Sequence, residues 1–147
     1  MRYIISVRVV LDTSVLVAAL RSPKGASRRL VQEALEQRYE LLISVALVLE
    51  YEAVLTRPEQ LAKSGLDFHE VNELLDALVK VAAPVRLTFM WRPALRDPDD
   101  DMVLEVAVNG NADVLVTFNL RDFKQVSEGF GVAVLSPGEA LRKVKTL

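Results

Sequence analysis

Apolar residues along this chain fall into two alternating rhythms. Val7–Leu11 is a short, β-branched, nearly continuous apolar run ending at Asp12, which predicts a strand buried on both faces of a parallel sheet. Ala26–Arg38 then carries apolar residues at 26, 30, 31, 34 and 35 with charges between them, the spacing of an amphipathic helix. Leu41–Ser44 predicts a second strand. A helix follows from about Val45 to Leu55, stopped near Pro58 because the residue before a proline is driven out of the α region.

A further amphipathic helix is predicted over Asp67–Ala82, with Val71, Leu74, Leu75, Leu78 and Val79 on its stripe, and Val85–Thr88 as a third strand. From Asp97 the series Val103, Leu104, Ala107, Val108 marks a helix ended by Asn109-Gly110, and Ala112–Thr117 is the clearest strand of the chain. Val132–Leu135 completes the set, followed by a short helix from Pro137. Strands alternating with helices predict an α/β fold of three layers, α/β/α, around a central parallel sheet of about five strands. Without repeat, low-complexity stretch or linker, residues 1–147 are expected to form one domain, which at this length buries roughly 68–70% of the unfolded surface.

In such a sheet ligands bind at the carboxyl edge of the strands. Asp12 follows the first strand directly, Asn119 and Asp122 lie just beyond Ala112–Thr117, and Glu50 falls within about two turns of the same edge. The helix from Asp97 also starts there. Each acid has a structural alternative. Asp97 before Pro98 suits an N-cap, Asp99 to Asp101 would complement a helix dipole, Asp12 could cap the segment Thr13 to Leu20, and Asp122 could start a turn. Asp100 stands out because 100, 103, 104, 107 and 108 form one inward stripe, and an inward carboxylate needs a partner. Periodicity alone does not separate Glu50 from Glu52.

Composition narrows the chemistry. Cysteine is absent and His69 is the only histidine, which excludes a disulfide framework, a thiolate zinc site and a histidine metal site. Gathered carboxylates repel unless a cation offsets them or one holds a proton. The expected cation is a hard one, Mg²⁺ or Mn²⁺, and such ions serve phosphate chemistry by activating water and neutralising a leaving oxygen. Twenty acidic against eighteen basic residues give a net charge of −2, so contact with nucleic acid would depend on local groups. Candidates are Arg21, Lys24, Arg28 and Arg29, then Arg142, Lys143 and Lys145, although a solvated helix face explains them as well. No apolar run approaches the ~18 residues that cross a bilayer, and a cytoplasmic protein is expected.

Val10-Leu11-Asp12-Thr13-Ser14-Val15-Leu16, Ser44 with Glu50 six residues on, Asp97-Pro98-Asp99-Asp100 leading into Val103-Leu104 and Ala107, and Ala112–Thr117 with Asn119 together resemble the PIN-domain ribonucleases. The resemblance runs from about residue 8 to 136 and is nearest to the VapC-like branch, named as toxins of toxin–antitoxin pairs. It implies a homodimeric metal-dependent endoribonuclease that leaves a 3′-hydroxyl and a 5′-phosphate, inhibited by a small antitoxin protein. It also implies Asp12, Glu50 and Asp100 as the main metal-site acids, with Ser14 or Thr117 supplying a hydroxyl nearby. Asn119 stands where many relatives have aspartate, so Asp122 is expected to take that fourth role, directly or through a water.

Two other classes compete. A receiver-type phospho-signalling module would need a pair of acids at the first strand and a phospho-acceptor aspartate at the third, where this chain has Asp12 alone and Thr88-Phe89. A PIN-fold binding protein without catalysis draws its support from Asn119. Phe68, Phe89, Met90 and Trp91 are candidates for a dimer contact, with core packing as the alternative.

Overall fold

The structure is a computed structural model that describes residues 7–88 and 98–145. It opens on β1 (Arg8–Leu11), whose Val9, Val10 and Leu11 are all buried. Successive strand residues point to opposite faces, so this burial means that the sheet is covered on both sides. Two helices follow, α1 (Thr13–Arg21) and α2 (Ala26–Leu35), before β2 (Glu40–Ile43). Next comes α3 (Val45–Leu55), begun by Ser44, whose hydroxyl accepts the Leu47 backbone N–H at 3.1 Å.

Pro58 does more than end α3. Its missing N–H is harmless at a first helical position, and it starts α4 (Pro58–Ser64), a helix not expected from the sequence. The next helix, α5 (Phe68–Val81), begins at Asp67, where Asp67 and Glu70 exchange side-chain to backbone bonds in a capping box. Val71, Leu75 and Leu78 are buried on it, whereas Val79 faces outward.

The third strand is displaced from its expected place. It is β3 (Ala83–Pro84), and beyond it only the Val85 N–H reaches β2, at the Ile43 carbonyl, 2.7 Å. A proline is tolerated because β3 is an edge. Val85 and Leu87 instead pack sideways against the core, which gave that segment its strand-like pattern.

Then come α6 (Pro98–Asn109) and β4 (Val114–Val116). The segment after β4 forms α7 (Leu120–Ser127) rather than a turn started by Asp122, with Phe123 wholly buried beneath it. Last are β5 (Ala133–Leu135) and α8 (Pro137–Lys145). Asp97 and the aromatic pair Phe89 and Trp91, with Met90, lie outside the described residues.

All pairings are parallel and the strand order is β3-β2-β1-β4-β5. The chain builds outward from β1 to β3 on one side, then crosses to β4 and β5 on the other. Connections therefore leave β1 and β4 in opposite directions and open a crevice at their carboxyl ends. This is the three-layer α/β/α architecture expected from the sequence, and the crevice lies beside Asp12.

Candidate active site

Asp12 is fixed at that crevice by its backbone, whose N–H donates to the Val116 carbonyl at 2.9 Å, tying the end of β1 to the end of β4. Below it, the buried Tyr51 hydroxyl on α3 donates to the Leu11 carbonyl. Burial first, and then the negative charge of Asp12, hold the Tyr51 phenol well above its ordinary pKa, so it stays a neutral donor. Asp12 occupies the cap position of α1 without a side-chain capping bond. Its Oδ2 atom instead accepts the Ser14 hydroxyl at 2.7 Å and the Thr117 hydroxyl at 2.8 Å. Asp12 is only 6% exposed, so those bonds also hold the orientation of its carboxylate.

Thr117 passes the network on. Its Oγ1 accepts the Asn119 backbone N–H at 2.9 Å, and the Asn119 side-chain amide donates to Asp122 at 3.0 Å and to Asp100 at 3.3 Å. Ionised carboxylates only accept, so Asn119 must present its nitrogen to both. Where many relatives carry an aspartate, this chain therefore meets the two acids with a donor.

A cleft of about 380 Å³ opens in front of these groups, lined by Asp12, Ser14, Glu50, Arg57, Asp100 and Asn119 among others. Glu50 reaches it from α3 while Glu52 does not line it, which separates two residues that periodicity left equivalent. Asp122 lies behind Asn119 and meets the cleft through it. Asp100 lines the cleft from the first turn of α6, although its expected inward stripe was drawn too narrow. Asp101, Glu105 and Val106 are also wholly buried on that helix.

Arg57 was missed. It sits between α3 and α4, pinned at the rim by the helix that Pro58 starts, and its signal in the sequence is a cation next to an N1 proline. The basic groups that were considered are placed differently. Arg21 donates twice to Gln60, Arg28 donates to the Ala19 carbonyl, and Arg29 faces Glu33. Lys24, Arg142 and Lys143 are exposed.

The groups at the cleft that could ligate an ion, the carboxylates of Asp12, Glu50 and Asp100 and the Ser14 hydroxyl, offer oxygen, the set that suits a hard divalent ion. Among the described residues no three acidic or histidine side chains form a closed cage as placed, so holding one ion would require Asp12, Glu50 and Asp100 to draw together. Hydroxyl and amide donors now occupy part of the space between them.

A PIN-domain family model matches residues 8–121, from the first residue of β1 to the start of α7. The chain belongs to the PIN-domain family. PIN domains are generally nucleases and generally use divalent metal ions, in keeping with an acidic cleft at a sheet edge. Two solved structures share the PIN fold of this chain. One is VapBC2 from Rickettsia felis, bound to a DNA fragment from their promoter, with 15% identity, a TM-score of 0.59 and coverage of 88% of this chain and 98% of that one. The other is PAE2754 from Pyrobaculum aerophilum, with 18% identity, a TM-score of 0.62 and coverage of 96% and 91%. No curated protein matches the sequence.

Proposed function

We propose that this PIN domain is a metal-dependent endoribonuclease and the toxin of a toxin–antitoxin pair. The observation that carries the proposal is the delivery of Asp12, Glu50 and Asp100 to one cleft by three separate elements. Bound Mg²⁺ or Mn²⁺ would supply Lewis acidity and a water of lowered pKa. The protein's own share is positional. Ser14 and Thr117 hold Asp12 in one orientation, Asn119 bridges Asp100 and Asp122 by donating to both, and Arg57 offers a fork of donors to a substrate phosphate at the rim. The single-stranded or structured RNA would lie along the carboxyl edge, cut to leave a 3′-hydroxyl and a 5′-phosphate.

The toxin role rests on the VapC-like sequence pattern together with the shared fold of a VapBC assembly. It carries three expectations: a homodimer, action in the cytoplasm, and a small antitoxin protein whose tail blocks the acidic cleft. No helix among the described residues is long and apolar enough to cross a membrane.

The test is cleavage of a mixed RNA substrate by the wild type and by Asp100→Asn in Mg²⁺, in Mn²⁺ and in chelator. Wild-type cleavage should vanish in chelator and fall by at least about a hundredfold in the variant, the scale of losing one electrostatic group that acts in the transition state. Equal cutting by both proteins would remove Asp100 from the site. Asn119 favours a second reading, a PIN fold that binds RNA without cutting it, and RNA binding without cleavage in any metal would establish that instead.

A further inference from the structure

Beyond the acidic cleft the same sheet edge carries a second hollow, of about 380 Å³, lined by Ala18, Ser22, Ser27, Phe118, Pro137 and Gly138 among others. The two are neighbours through shared segments. Val17 lines the cleft and Ala18 lines the hollow. Phe118 lies between Thr117 and Asn119, whose side chains bond the site acids.

Three features of the hollow point to a ligand. Phe118, a large apolar residue beside a polar site, is 58% exposed. The N-terminus of the ten-residue α2 opens into it, begun by Gly25 with no side-chain cap, so its first-turn N–H groups are left to an outside acceptor. Ser27 in that turn is only 4% exposed and lines the hollow, yet its hydroxyl bonds to no described residue. A buried hydroxyl without a partner is costly unless something else fills the role. At the rim, Arg142 Nη1 stands 3.9 Å from where a Cβ on Gly138 would lie. Glu139 is close by, with its carboxylate accepting the Ser136 N–H.

We infer that this hollow is a nucleotide subsite that holds the residue of single-stranded RNA next to the cut phosphate, an inference that rests on the nuclease reading. The base stacks on Phe118. Its phosphate is received by the first turn of α2 and the Ser27 hydroxyl, with Arg142 at the open side. Stacking tolerates any base and requires it to be unpaired, so the subsite selects single-stranded over duplex substrate without selecting a sequence.

The experiment compares wild type, Phe118→Ala, Phe118→Tyr and Ser27→Ala on a labelled single-stranded RNA and on bis(4-nitrophenyl) phosphate, which fills the cleft alone. Phe118→Ala should raise KM for RNA about tenfold, as expected for losing one base stack. Phe118→Tyr should keep the wild-type KM, and Ser27→Ala should raise it several-fold. All variants should retain kcat/KM on the small diester. An unchanged KM for RNA in Phe118→Ala overturns the subsite and leaves the nuclease standing. An equal loss on both substrates also overturns it, because Phe118 would then be shaping the cleft. A wild type that cuts neither substrate overturns the nuclease reading and the subsite with it.

Discussion

Asn119 donates to Asp100 and Asp122 from one amide group, so two carboxylates are kept near each other without a third negative charge between them. An aspartate there would lose both donor bonds and add like-charge repulsion at once. In chelator, Asn119→Asp should therefore be less stable than wild type by up to about 1 kcal/mol, the scale of hydrogen bonds and charge contacts that water can screen. The urea midpoint of unfolding measures this. A variant as stable as wild type would show that the amide does not offset the charge of its two neighbours. The same residue marks a limit of the sequence. That Asn119 lies beside the acids could be inferred from its place after a strand, but whether it donates or accepts depends on which atoms approach it in space.

The close meeting of α6 with the sheet rests on one small residue. Gly110 follows α6, and a Cβ on it would lie 2.8 Å from the Val106 carbonyl oxygen, 2.9 Å from Val85 Cγ2 and 3.0 Å from Leu42 Cδ1. The first of these is backbone and cannot swing away. Gly110→Ala should destabilise the fold by about 1–3 kcal/mol through overpacking. A thermal melt unchanged from wild type would mean that the helix end can shift without cost. At this scale most of the fold was legible. Periodicity located the helices Ala26–Leu35, Val45–Leu55 and Phe68–Val81 to within a few residues, because their burial follows one stripe. The exceptions have physical causes. Pro58 reads as a stop and acts as a start, and Leu120 with Phe123 is too short a repeat to announce α7. In Val85–Thr88 the apolar residues pack against the core without continuing the sheet ladder. The acids were visible because strand ends are where a parallel sheet puts its ligands. Arg57 was not, because its position depends on how α4 turns back against α1 and α3.

At a net charge of −2 the molecule as a whole exerts no field that would draw in RNA, and an acidic cleft repels it locally. On the nuclease reading proposed above, recruitment of a polyanion to this edge would begin with a divalent ion held by Asp12, Glu50 and Asp100. An ion that binds the native chain alone stabilises it by about 2.7 kcal/mol at a hundredfold excess over its dissociation constant. For a chain of this length that corresponds to a rise in Tm of roughly 5–10 °C. The ion competes with protons for the same oxygens. Carboxylates bind it only when ionised, so the rise should be fully present at neutral pH and shrink as the pH is lowered and protons take the oxygens. Melting curves with Mn²⁺ and with chelator, taken from pH 7 down to pH 3.5, measure the difference directly. Asp100→Asn should show a smaller rise at every pH, since it removes a ligand charge without removing volume. If Mn²⁺ moves the wild-type melt at no pH, or moves Asp100→Asn equally, Asp12, Glu50 and Asp100 do not share an ion, and the cleft has to meet its substrate by charge and shape alone.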